Sequence, residues 1–270
     1  MANPVLTPKR VEATAEDLEP GWAMGGAAAA ATMTGNAAGV APARTGKVMT
    51  AEGAFGKAFL LWLIVVAAAA FSWGKTAVPQ VGEIKIPGWT WPALFIGLGL
   101  AMLTIFKPKF APITAPLYAA AEGLFLGVIS KIYDAQWNGI VLQAVLATVG
   151  VFLVCLALYV TGVVKVTKKF VFVVIAATAG IMVMYLAGFL LNMFGVDITF
   201  WNEPSALGIL FSVGICIVAA LNLFLDFEMI RRLGLAKAPK AMEWYGAFGL
   251  TVTMVWLYLE ILRLLSKLRN

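Results

Sequence analysis

From Phe55 onward, long apolar runs alternate with short connectors that carry charge, proline or glycine. The run from Gly139 to Val164 contains no charged residue at all, which exceeds the roughly 18 residues that mark a membrane-span candidate. The pattern predicts helices over 55–73, 89–106, 113–132, 138–164, 170–194, 205–227 and 243–265. Most are close to the roughly 20 residues needed to cross a bilayer at 1.5 Å per residue. The runs are continuous, without the in-out alternation of barrel strands, so a transmembrane β-barrel is excluded. The fold class is therefore an all-α membrane protein with seven transmembrane helices. Residues 1–52 differ: a polar opening (KRVEATAEDLEP) leads into an Ala/Gly-rich stretch. That segment reads as a flexible cytoplasmic tail, with 53–270 forming the transmembrane domain. Acids precede only a weakly apolar Ala run, so no cleaved signal peptide is expected.

Composition sharpens the picture: 61% of residues are hydrophobic and 13% charged, against roughly 45–50% and 25% in soluble domains. The net charge of +6 does not point to nucleic acid, because the Lys and Arg residues cluster between apolar runs, as topology requires. Arg44, Lys47, Lys57, Lys107, Lys109, Lys165, Lys168, Lys169, Arg231, Arg232, Lys237 and Lys240 all fall on segments that are inner if the N-terminus is cytoplasmic. The outer loops hold only Lys75, Lys85 and Lys131, and FGVDITFWNEPS has no basic residue. Trp73, Trp89, Trp91, Trp137 and Trp201 fall at outer ends, where aromatic belts form. Seven crossings place Arg263, Lys267 and Arg269 outside, against this trend, so the last helix either tolerates that or does not cross. Histidine is absent and the two cysteines, Cys155 and Cys216, lie in apolar runs. Zinc hydrolysis and His-dependent catalysis are excluded, no cofactor motif is present, and the chain does not read as an enzyme.

Charges inside spans are the informative positions, since each costs roughly 2.5–3.5 kcal/mol at a helix centre on insertion scales. Glu122, in LYAAAEGLFLGVIS, falls near mid-span, followed by Gly123 and Gly127, whose spacing permits close helix approach. Asp226 and Glu228, in LNLFLDFEMIRR, point some 200° apart at about 100° per residue, so both cannot face the bundle interior. Asp226, with Asn222 one turn above it, is the interior candidate, and Glu228 reads as a solvated acid beside Arg231 and Arg232. Glu260 precedes Arg263 by three residues and reads as a local ion pair. The small residues around AAAA at 67–70 read as packing surfaces.

The strings APLYAAAEGLFLGVIS, AALNLFLDFEMI and EWYGAFGLTVTMVWLYLEILRLLSKL, in this order and spacing, resemble the Bax inhibitor family over residues 50–268. More closely, the chain is similar to the family's bacterial branch. The resemblance implies a bundle whose C-terminal helix is central, wrapped by the other six. It also implies a pH-sensitive calcium leak whose closure involves one aspartate in each of the last two helices and a basic latch. Asp226 matches the first aspartate, and Lys107 or Lys109 lies where the latch base belongs. The second aspartate aligns with Thr253, and the chain's own acid, Glu260, comes seven residues later. Glu122, at similar depth on another helix, is a candidate substitute.

The preferred reading is thus a passive, pH-sensitive cation pathway of the bacterial inner membrane, with calcium held transiently near Asp226 or Glu122 and no fixed metal. Carboxylate and hydroxyl oxygens suit hard cations. The alternative is a non-transporting regulator that binds membrane proteases or other membrane proteins. A secondary transporter would call for inverted repeats or broken helices, and neither is evident. Expected partners are membrane lipids and calcium ions, with a membrane-protein partner under the alternative, and no nucleic acid.

Overall fold

The structure is a computed structural model in which residues 48–77, 86–195 and 205–269 are described. Most of the predicted tail, Lys85, Trp201, most of FGVDITFWNEPS and Asn270 lie outside the described residues. The described residues form seven α-helices: α1 Ala51–Lys75, α2 Thr90–Phe106, α3 Ala111–Gln136, α4 Ile140–Val160, α5 Lys168–Met193, α6 Ala206–Leu235 and α7 Met242–Leu268, with a 3₁₀ turn Pro108–Phe110 between α2 and α3. Six are long and apolar enough to cross a membrane. The exception is α2, whose 17 residues reach about 26 Å, just under the roughly 30 Å of a hydrocarbon core.

Local chemistry sets the helix ends. Hydroxyl caps start three helices: the side chains of Thr50, Thr167 and Ser205 accept from the N–H of Gly53, Phe170 and Gly208, satisfying donors that a helix start leaves open. Between α3 and α4 the chain reverses through Gly139 at φ 77°, a conformation that glycine adopts without a Cβ penalty. The Asp134 carboxylate accepts the Gly139 N–H at 2.9 Å and holds this turn. α6 runs to Leu235, two turns past its predicted end at 227, because FEMIRRL carries good helix formers and no breaker.

Burial separates the helices. The most apolar window of α7 is 61% buried and that of α5 only 11%, so the C-terminal helix is central, as the resemblance implied, and α5 is peripheral. α7 packs against α6, α1, α4 and α3. The outward faces carry exposed Phe59, Phe95, Phe172, Phe189 and Leu210, an inside-out surface that fits a lipid surrounding. The tightest approach is between α1 and α3. A Cβ added to Gly123 would meet the Val65 carbonyl oxygen and stand 2.8 Å from the Ala68 Cβ; one on Gly127 would meet the Ala69 carbonyl oxygen and stand 2.8 Å from the Ser72 Cβ. Ser72 Oγ also donates to the Leu124 carbonyl at 2.6 Å. The glycine pair and the alanine run are therefore the two faces of one seam.

Met49 N–H donates to the Ala238 carbonyl at 2.8 Å, and Val48 forms a bridge with Pro239, so residues 48–52 belong to the bundle. α7 starts at that end. Its other end lies at the α3–α4 turn, where the Arg269 guanidinium donates to the Asn138 carbonyl and the Gln143 amide oxygen, both at 2.9 Å. It therefore runs the full depth of the bundle.

Candidate functional site

Four helices enclose a cavity of about 530 Å³ in the half of the bundle nearer the α1 start. α3 contributes Tyr118 and Glu122, one turn apart; α6 contributes Asp226; α7 contributes Tyr245, Gly249 and Thr253, at four-residue intervals on one face; α2 closes the side with apolar residues. Its lining contains two carboxylates and no cationic side chain.

Two glycines make room for the acids. A Cβ on Gly97 of α2 would lie 3.5 Å from Glu122 Oε2, and one on Gly249 of α7 would lie 3.4 Å from Asp226 Oδ1. The Thr253 side chain lines the same cavity as Asp226. Asp226 Oδ2 is closed off from solvent and has no hydrogen-bond partner. Glu122 likewise has no hydrogen-bond or ion-pair partner among the described residues. Tyr118 stacks edge-on against Phe248, with ring centroids 5.1 Å apart, which fixes the wall beside Glu122.

The other buried acids are all satisfied. Glu228 accepts from Arg231 Nε at 2.8 Å, Arg231 Nη2 at 2.7 Å, Arg232 Nε at 2.7 Å and Tyr159 Oη at 2.7 Å. Glu243, fully buried, accepts from the Thr50 N–H at 3.0 Å and pairs with Lys57. Glu260 accepts from Tyr185 Oη at 2.9 Å and Trp256 Nε1 at 3.3 Å and lies 3.5 Å from Arg263 Nη1.

Of the sequence candidates, the structure brings Glu122, Asp226 and Thr253 into one cavity and leaves Glu260 out of it, in the local pair with Arg263 that the sequence suggested. Lys107 and Lys109 are exposed and do not line the cavity, and no ion pair joins either to Asp226 among the described residues. Asn222 donates to Thr178 Oγ1 of α5 and to its own helix, away from Asp226. Glu228 forms the expected arginine pairs but is buried, because Tyr159 of α4 covers it. Lys57, one of the basic residues assigned to the inner segments, is the partner of Glu243.

Sequence reasoning missed Tyr118, Tyr245, Gly97 and Gly249. Tyr118 and Gly249 each stand four residues before a candidate, and that spacing was the available signal. It also missed Glu243, whose role depends on helices far apart in sequence.

A cavity holding two carboxylates among helices with Phe and Leu on their outer faces defines a multi-span helical membrane protein. The profile of the family described as Bax inhibitor 1 like matches residues 3–270, nearly the whole chain, including the N-terminal stretch outside the earlier resemblance. The chain belongs to that family. No curated protein and no solved structure matches it.

Proposed function

We propose that the chain conducts cations, calcium among them, passively and in a pH-sensitive way across the bacterial inner membrane, with its N-terminus in the cytoplasm. The observation that carries this reading is the cavity lined by Glu122 and Asp226, with no cationic side chain among its described lining residues. Two carboxylates, the Thr253 hydroxyl and two tyrosine hydroxyls offer a hard cation oxygen ligands. The carboxylates exchange protons as pH changes, so the charge offered to the ion changes with them.

The placement of Lys107 and Lys109 alters the expected role of Asp226. With no base paired to it among the described residues, Asp226 acts as a ligand of the passing ion instead of half of a latch. Purified protein in liposomes carrying an internal calcium dye tests this. Wild-type protein gives a calcium leak that varies with pH, and Asp226→Asn lowers the leak several-fold at neutral pH and flattens its pH profile. A leak raised by Asp226→Asn would restore the latch, and no leak from well-folded wild-type protein would favour the regulator reading.

A further inference from the structure

A cleft of about 360 Å³ lies between α1, α3, α4 and α7. α7 turns Met254, Val255 and Tyr258 towards it, a different face from the one that carries Tyr245, Gly249 and Thr253. Side-chain size creates the space: α1 presents Ala69 and Ala70, and α3 presents Gly127, where larger residues would fill it. No charged side chain is among its described lining residues. Its two hydroxyls, on Ser130 and Tyr258, bond to each other at 2.6 Å, so neither needs an occupant. Val66 and Ala70, on its rim, are exposed, which opens the cleft to the surroundings of the bundle.

Its dimensions select among occupants. Along α1 it extends from Trp62 to Trp73, about 16 Å at 1.5 Å per residue. That length matches the half of a roughly 30 Å hydrocarbon core that belongs to one leaflet. Spread over it, the volume gives a mean cross-section of about 22 Å², under a third of that of a helix about 10–12 Å across. The cleft has room for a hydrocarbon chain and not for a transmembrane helix.

Charge marks its mouth. Trp73 bounds the cleft where α1 finishes, and Lys131 Nζ stands 4.7 Å over the centroid of that ring. Lys131 forms no ion pair among the described residues, and Asp134, three residues on, is engaged by the Gly139 N–H. Tyr133 and Trp137 pack together at the same end, with ring centroids 5.8 Å apart, and are residue types found at headgroup depth. An ammonium at that level, above an apolar slot one leaflet deep, complements a phosphate joined to acyl chains.

We infer that this cleft binds one phospholipid, with an acyl chain lying along Trp62 to Trp73 and its phosphate against Lys131. The site is separate from the proposed ion pathway and does not depend on it.

The melting temperature of the full chain in a neutral detergent tests the assignment. It is followed against rising mole fractions of dioleoylphosphatidylglycerol and of dioleoylglycerol, which has the same chains and no phosphate. Phosphatidylglycerol raises the melting temperature saturably, and dioleoylglycerol needs about fivefold more for half of the effect. Lys131→Gln brings the two probes to the same half-saturating mole fraction. Ala70→Trp, which puts a large ring into the cleft from an exposed position, raises both values several-fold; should that variant fail to fold, Lys131→Gln alone decides. A rise that never saturates, equal potency of the two probes on wild type, or an unchanged preference in Lys131→Gln would overturn the proposal. So would a lower particle mass of Ala70→Trp in light scattering, which would assign the cleft to a second copy of the chain.

Discussion

Apart from Asp134, which accepts the Gly139 N–H at the α3–α4 turn, five buried or half-buried acids lie within the described helices, and their surroundings divide them. Glu228, Glu243 and Glu260 each accept bonds from cations or hydroxyls, whereas Glu122 and Asp226 face a cavity without a cation. Polar groups kept in a membrane interior without a partner mark function more often than stability. Paired substitutions separate the two kinds. Glu122→Gln keeps the shape and the small clearance to Gly97, and is expected to leave the melting temperature nearly unchanged while reducing calcium leak several-fold. Glu243→Gln is expected to do the opposite: it leaves Lys57 without its counter-charge in a buried setting and costs about 3 kcal/mol, read as a lower melting temperature in detergent, with the leak per folded molecule preserved. Normal leak in Glu122→Gln would reduce that residue to helix glue. Depth along a helix is readable from the sequence, which is how Glu122 and Asp226 came forward. Direction across the bundle is not, which is why Asn222 was placed beside Asp226 when it turns to Thr178, and why the Lys57–Glu243 pair, 186 residues apart, left no local trace.

Helices are placed well by the apolar pattern and their ends less well. All seven were legible because a long, continuously apolar run without in-out alternation is helical in lipid. The errors fall where charged residues remain helical: α3 runs past 132 through Asp134 to Gln136, where the Asp134 carboxylate accepts the Gly139 N–H, and α6 runs past 227 through the Glu228–Arg232 pairs. Such residues look like loop by hydropathy and are helix because their side chains find partners one turn away or on the next helix. The α1–α3 seam was legible as a spacing of small residues, and its consequence can be measured. Gly127→Val would drive a branched side chain into the Ala69 backbone and the Ser72 Cβ, which cannot yield without separating the helices. A loss of about 1–3 kcal/mol is expected, seen as a melting temperature several degrees lower. Gly150→Ala, on α4 with nothing within 4 Å of the added Cβ, should leave it unchanged. Equal stability of the two variants would mean that α1 and α3 do not meet as closely as the structure has them.

For the molecule as a whole, the open point in the sequence was the last helix, whose basic end sits on the side that otherwise carries few cations. The structure accounts for those charges individually: Arg263 is engaged by Glu260 and Tyr185, Lys267 by Gly208 and Ser212, and Arg269 by the α3–α4 turn. Charges so engaged within the bundle need not be drawn to the cytoplasmic face as free loop lysines are. With α7 pinned to residues 49–57 at its start and to the α3–α4 turn at its end, crossing is the expected topology, and cysteine labelling in a background lacking Cys155 and Cys216 measures it. A membrane-impermeant maleimide added to intact cells should modify Gly195→Cys and Leu268→Cys and spare Lys237→Cys until the membrane is opened. Labelling of position 237 with protection of 195 would invert the molecule. Positions 237 and 268 labelling from the same side would mean that α7 lies along the bilayer, and the cavity holding Glu122, Asp226 and Thr253 would then have no central helix to form its wall.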